Sequence, residues 1–209
     1  MKKLTYKTHL AAGYTASLLI TSPSTLSEMI MCLGISTIGS VISDIDASSS
    51  ASRKELGKVT AITTAGIIAI FAGDLFLGID IISKFRSSAA IMRLITGFLI
   101  FIGICVFGEH QPHRSFMHSL AGVAAVSLSF AVIIPSSAKY MAVSMLSHIA
   151  LDMLNRKKIQ ILYPLRKPKI AFGVCYADGF VNHILFYIAG AAAVVISAVK
   201  VYGIVRGMM

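Results

Sequence analysis

Long apolar runs follow one another from the beginning to the end of this chain, and no polar domain separates them. Runs of about 18 or more apolar residues are typical of helices that span membranes. Only 13% of the residues are charged and 56% are hydrophobic, whereas an ordinary soluble domain has roughly 25% charged residues. The pattern argues against a water-soluble fold. It predicts a single all-α domain, residues 1–209, that forms an integral membrane helical bundle.

The apolar runs divide into seven segments, so we expect a bundle of about six or seven membrane segments. The segments are residues 9–21, 26–42, 59–82, 89–107, 117–134, 140–154 and 180–199. The first and the sixth have only about 13 to 15 residues, fewer than the roughly 20 that cross the hydrocarbon layer comfortably. Such short segments either use flanking residues or lie beside a water-filled cavity.

Lysines and arginines in short loops predict the orientation, because they favour the cytoplasmic side of a membrane. With the N-terminus inside, 13 of them fall on the cytoplasmic side and 6 on the other side. We therefore expect a multi-pass protein whose N-terminus lies in the cytoplasm and whose C-terminus lies outside.

The formal net charge of +10 is spread over short loops beside the apolar segments, with a dense basic stretch at residues 156–169. This distribution favours anionic lipid headgroups as partners and argues against nucleic acid. The cysteines Cys32, Cys105 and Cys175 are scattered and lack a C-x-x-C spacing, so we interpret them as packing residues. The oligomeric state stays open.

Histidine and aspartate side chains collect at those segment ends that the predicted orientation places in the cytoplasm. Ionisable groups beside or within membrane spans are costly and indicate function. Imidazole and carboxylate together suit Zn²⁺ best, with Mn²⁺ or Fe²⁺ as alternatives. The candidate metal ligands are His9, Asp44, Asp46, His113, His118, His148 and Asp152.

The spacing of these residues predicts how they share ions. His148, Asp152 and Asn155 are separated by one and two helical turns, so they lie on one stripe of a helix and the first two are expected to bind the same ion. Seven ligands exceed the needs of one tetrahedral ion. One or two ions are therefore expected, and the surplus of ligands favours two, with Asp46 or Asp44 as the bridging carboxylate.

Three other residues are candidate catalytic groups. Arg114 is suited to stabilising a phosphate-like charge through its two-pronged guanidinium, or else to anchoring a lipid headgroup. Glu109 is a candidate general base or a support for a ligand. Ser119 is expected to support the site or to cap a helix.

Five short motifs occur in order along most of the chain. They are T-H-L-A-A-G at 8–13, G-S-V-I-S-D-I-D at 39–46, H-R-S-F-M-H-S at 113–119, L-S-H-I-A-L-D-M-L-N at 146–155 and L-Y-P at 162–164. In these motifs the sequence resembles the YdjM-type, LexA-regulated, membrane-bound metal-dependent hydrolases of bacterial inner membranes. Three positions depart from that pattern, since Ser43, Ala47 and Met117 stand where the family has proline, histidine and threonine.

The resemblance implies a metal-dependent hydrolase that resides in the bacterial cytoplasmic (inner) membrane. The H-x-x-x-D element and the early histidine are also loosely similar to the zinc-dependent phospholipase C and single-strand nuclease group. That likeness implies a phosphoester or phospholipid-like substrate at the cytoplasmic face. The alternatives are a divalent-metal transporter, which would need ligands near the bilayer midplane, and a non-catalytic membrane protein.

Overall fold

Six α-helices form a bundle in the part of the chain that the computed structural model describes, residues 6–47, 88–165, 168–174 and 179–207. They are α1 (Tyr6–Thr21), α2 (Leu26–Ile42), α3 (Ala89–Glu109), α4 (Leu120–Ile133), α5 (Ala138–Met153) and α6 (Phe180–Arg206). The prediction of an all-α helical membrane bundle is confirmed. The third predicted segment, residues 59–82, lies outside the described residues.

Three helical stretches of the described chain are long and apolar enough to cross a membrane, namely Leu26–Asp46, Ala89–Glu109 and Phe180–Arg206. The helices α4 and α5 have only 14 and 16 residues, which corresponds to about 21 and 24 Å. The fifth segment is shorter than predicted because Phe116–His118 forms a separate 3-10 turn and Ser119 caps α4.

The helix directions bring several predicted functional residues to one end of the bundle. His9 near the start of α1 lies 3.7 Å from Asp152 near the end of α5. Asp46, which follows α2, lies 2.6 Å from His113, which follows α3. We call this end of the bundle the site end. Residue Ser88 at the start of α3 therefore lies toward the opposite end.

The helix α6 runs parallel to α1. Thr8 donates a hydrogen bond to the Asn182 side chain at 2.7 Å, and Thr15 donates one to the Ala189 carbonyl at 2.7 Å. Because both pairs have the same sequence offset, the two helices start together at the site end. The start of the first helix and the end of the last helix thus lie at opposite ends of the bundle. The membrane side of each end stays a prediction.

Small residues let α1, α2 and α5 approach closely. A Cβ atom on Gly13 would collide with the Ser40 hydroxyl, and a Cβ atom on Gly39 would collide with the Ser144 hydroxyl. Small residues at helix contacts are typical of membrane bundles, where lipid supplies no hydrophobic force between helices. By contrast, α6 carries exposed apolar side chains along its length, among them Val194 at 71% and Tyr202 at 68%.

We predict that Gly39→Val destabilises the bundle by about 1 to 3 kcal/mol, because the new side chain overpacks the contact with Ser144 and Met141. The control is Gly34→Val on the same helix, since no atom lies within 4 Å of a Cβ at Gly34. Thermal unfolding in detergent measures both. Equal Tm values for the two variants would contradict the close α2–α5 contact.

Candidate metal centre

All seven predicted metal ligands come together at the site end. Their side chains form three overlapping groups in which the potential ligand atoms lie within 4.8 Å of one another. The groups are His9, His148 and Asp152; Asp44, His118 and His148; and Asp46, His113 and His118. The structure therefore brings the whole predicted set into one cluster, while metal binding by that set stays a prediction.

The two aspartates after α2 lie on either side of a buried isoleucine, Ile45. The chain tightens into the 3-10 turn Ser43–Asp46, and Ile45 within it is fully buried in the apolar core. With Ile45 held in the core, the Asp46 side chain is 1% exposed and the Asp44 side chain 26% exposed. Ala47, where the family pattern has histidine, ends this turn with its N–H bonded to the Asp44 carbonyl at 3.0 Å.

His148 is held by the backbone of α2. Its Nδ1 lies 2.6 Å from the Ser40 carbonyl, to which it can only donate. That contact fixes the tautomer and leaves a lone pair on Nε2. Nε2 is buried and has no hydrogen-bond partner within the described part of the chain. The His148 ring also stacks on His9, with ring centroids 4.0 Å apart.

His118 lies fully buried between carboxylates on two sides. Its Nδ1 is 3.3 Å from Asp46, and its Nε2 is 3.4 Å from Asp152 and 3.9 Å from Asp44. Burial lowers the pKa of His118, but the hydrogen bonds and negative charges of Asp152 and Asp46 outweigh it and raise the pKa to about 9. The carboxylates around His118 thus stabilise a positive charge at this position.

Asp46 is surrounded by donors. Its Oδ1 lies 2.6 Å from His113 Nδ1, and its Oδ2 accepts the backbone N–H of Arg114 at 2.9 Å and faces His118 Nδ1 at 3.3 Å. Carboxylates that accept a ring N–H from a histidine orient the imidazole for metal binding through its other nitrogen. The contacts of Asp46 match this supporting arrangement.

Arg114 connects two carboxylates of the cluster. Its backbone φ is +66°, in the left-handed region that costs energy for a residue with a side chain, and this places its N–H on Asp46. Its guanidinium, in a residue only 5% exposed, lies 2.8 Å from Asp152 and donates to the Lys157 carbonyl. The described contacts of Arg114 are thus to the protein itself, and its predicted role toward phosphate stays a prediction.

The other predicted catalytic residues lie at the helix ends around the cluster. Ser119 is the N-cap of α4, where its hydroxyl donates to the Phe116 carbonyl at 2.7 Å and accepts from the Gly122 N–H at 3.1 Å. The expected capping role of Ser119 therefore matches the structure. Glu109 is half-buried at the end of α3. Catalytic roles for both residues stay predictions.

Two departures from the family motifs lie in buried positions. Met117 is fully buried in the apolar core. A Cβ on Gly108 would meet its sulfur, so α3 packs closely against this methionine. Ser43 is also fully buried, at the start of the 3-10 turn. Met117 is therefore accommodated by packing, whereas the Ser43 hydroxyl is buried without a hydrogen-bond partner among the described residues, and neither departure removes any of the seven clustered side chains.

Sequence reasoning missed the contacts that hold the cluster from outside. Asn182, 1% exposed on α6, accepts the Thr8 hydroxyl beside His9. The Ser40 and Lys157 carbonyls hold His148 and Arg114. Backbone acceptors leave no signal in a sequence. The only available hint of these contacts was a polar residue, Asn182, near the start of an apolar segment.

The fold and the cluster together define a helical membrane protein with a buried histidine and carboxylate centre at one end of its bundle. The chain belongs to the YdjM inner membrane protein family, whose model matches residues 4–208. This confirms the resemblance drawn from the five motifs. Comparisons with curated proteins and with solved structures give no significant match.

We predict that Arg114→Met destabilises the metal-free protein by roughly 3 to 5 kcal/mol, because it leaves the buried Asp152 carboxylate without its nearest cation. The exposed Arg93 on α3 provides the control variant Arg93→Met, with an expected change near zero. Thermal unfolding after chelation measures both. The double variant Arg114→Met/Asp152→Asn should recover part of the loss; additive effects of the two substitutions would show that the pair is not coupled.

Proposed function

We propose that this protein is a metal-dependent hydrolase of the bacterial cytoplasmic membrane and that it acts on a phosphoester or phospholipid-like substrate at the cytoplasmic face. The observation that supports it most is the buried Nε2 of His148, which has no partner among the described residues although Asp152 and His9 surround it. A buried polar atom without a partner is costly. A bound cation would remove that cost.

The donor set fits a divalent transition ion. Nitrogen and carboxylate oxygen donors without cysteine suit Zn²⁺ first, and Mn²⁺ or Fe²⁺ next. The free cysteines Cys32 and Cys105 are buried and belong to none of the three ligand groups found among the described residues. This supports imidazole and carboxylate as the ligands.

The contacts favour different roles for the seven side chains. In our proposal the ligands of one ion are His9, Asp44, His118, His148 and Asp152. Asp46 is the acceptor that orients His113, because its oxygens already take the His113 ring nitrogen and the Arg114 N–H and lie 3.3 Å from His118. A second ion beside Asp46 would compete with those donors. The proposal therefore prefers one ion to the bridged pair that the ligand count alone favoured.

The metal, when bound, supplies Lewis acidity and lowers the pKa of a water so that hydrolysis proceeds at neutral pH. The chain supplies the arrangement. Arg114 and Asn155 fix Asp152 through contacts of 2.8 and 3.0 Å. The partly exposed side chains of Asp44 and His113 mark the side from which a substrate reaches the cluster.

We predict that purified protein binds one ion per chain and that His148→Ala and His9→Ala lose it, because each removes a proposed ligand. Asp46→Asn should keep one ion but bind it about 10- to 100-fold more weakly, as expected for a supporting residue. Metal content and titration measure this, with circular dichroism as a control for folding. Two ions in the wild type and one in Asp46→Asn would instead support a bridging carboxylate.

The hydrolytic activity is tested by incubating the purified protein with phospholipids and phosphodiesters and detecting the cleaved products. Turnover should disappear on chelation, return with Zn²⁺ or Mn²⁺, and be absent from His148→Ala. Metal binding without turnover on any substrate, together with metal uptake into protein-containing vesicles, would overturn the hydrolase proposal in favour of transport.

A further inference from the structure

The chain after α5 forms an ordered loop on the site end, which we call the basic loop (described residues 156–165 and 168–174). A single antiparallel bridge joins its two parts, since Ile159 and Ile170 exchange backbone hydrogen bonds of 2.8 and 2.9 Å. Ile159 is fully buried in the apolar core, and Ile161 and Tyr163 pack against that core. One side of the basic loop is therefore fixed to the bundle.

Backbone bonds tie the basic loop to the neighbouring helices and to the cluster. Gln160 N–H donates to the Arg114 carbonyl at 3.0 Å, Leu120 N–H donates to the Ile161 carbonyl at 3.0 Å, and Phe172 N–H donates to the Met153 carbonyl at 2.7 Å. These bonds hold the loop in one place. Its exposed side chains are consequently presented in a defined direction.

Four large apolar side chains of the basic loop are exposed. Leu162 is 41% exposed, Leu165 61%, Phe172 63% and Val174 65%. Large apolar side chains grouped on one ordered element indicate an interaction site. Nothing in the described chain covers them.

The same element is strongly cationic. Lys157, Lys158 and Lys169 are exposed, and the sequence has no acidic residue between Asp152 and Asp178. Exposed apolar side chains that alternate along the sequence with lysines are complementary to an anionic membrane surface, where apolar side chains enter the headgroup boundary and lysines meet lipid phosphates. The protein belongs to an inner membrane protein family, so a lipid surface is available to these side chains without a further partner.

We propose that the basic loop docks on the anionic lipid layer of the membrane and that it brings lipid headgroups beside the opening of the cluster. The connection is direct, because the Lys157 carbonyl accepts a hydrogen bond from the Arg114 guanidinium that holds Asp152. Docking does not require hydrolysis, so this inference stands or falls independently of the proposed activity.

The chain contains no tryptophan, so a single introduced tryptophan reports only its own surroundings. We would place it at Phe172, with Leu165→Trp as a second reporter in case the first variant folds poorly. The control positions are Val194→Trp on the exposed face of α6 and Ser24→Trp in the exposed turn after α1. Each protein is reconstituted into vesicles of phosphatidylcholine alone or with phosphatidylglycerol, containing brominated acyl chains.

We expect brominated lipid to quench Phe172→Trp at least about twofold more in the anionic vesicles, because lysine binding depends on lipid charge. Replacing Lys157, Lys158 and Lys169 by glutamine should abolish that difference while the Lys157 carbonyl remains. Val194→Trp should be quenched equally in both lipids. Two results would overturn the proposal. One is that aqueous iodide quenches Phe172→Trp as strongly as Ser24→Trp. The other is that the protection of Phe172→Trp from iodide changes with protein concentration and not with lipid composition.

Discussion

The burial of the Asp152 carboxylate constrains the site end of this bundle more than any other feature. A charged group removed from water is stable only when cations and hydrogen-bond donors replace the solvent. Asp152 meets that need with Arg114 at 2.8 Å, Asn155 at 3.0 Å and His118 at 3.4 Å. These partners come from different parts of the chain, so this one requirement joins the α3–α4 connection, the end of α5 and the cluster into a single structure.

Asp46 has a similar effect on the other side of His118. Its oxygens contact His113, the Arg114 N–H and His118. The end of α2 is therefore bonded to the α3–α4 connection, whose Arg114 also pairs with Asp152. Arg114 participates in both networks through different atoms, its backbone N–H and its guanidinium. The left-handed backbone at Arg114 is understandable in this context, because the two networks together supply the energy that offsets its strain.

Much of this arrangement was predictable from the sequence. The apolar runs predicted the helices, and the positions of lysines and arginines predicted that the histidines and aspartates would meet at one end. The one-turn spacing of His148 and Asp152 placed them together on α5, as the structure has them. The rest depends on information that a sequence does not carry: the tautomer of His148 is set by the Ser40 carbonyl, and the role of Asp46 by a backbone N–H.

The unequal helix lengths have a consequence for the surrounding bilayer. The helix α6 has 27 residues, about 40 Å, whereas α5 has 16, about 24 Å. So short a helix is accommodated by flanking residues that reach the interface or by local thinning of the bilayer, because contact between hydrocarbon and a polar helix end is unfavourable. Where the bilayer thins, the two leaflets come closer around α5 than around α6, so the thickness of the host membrane becomes a physical variable for the end of the bundle that carries the histidine and carboxylate cluster.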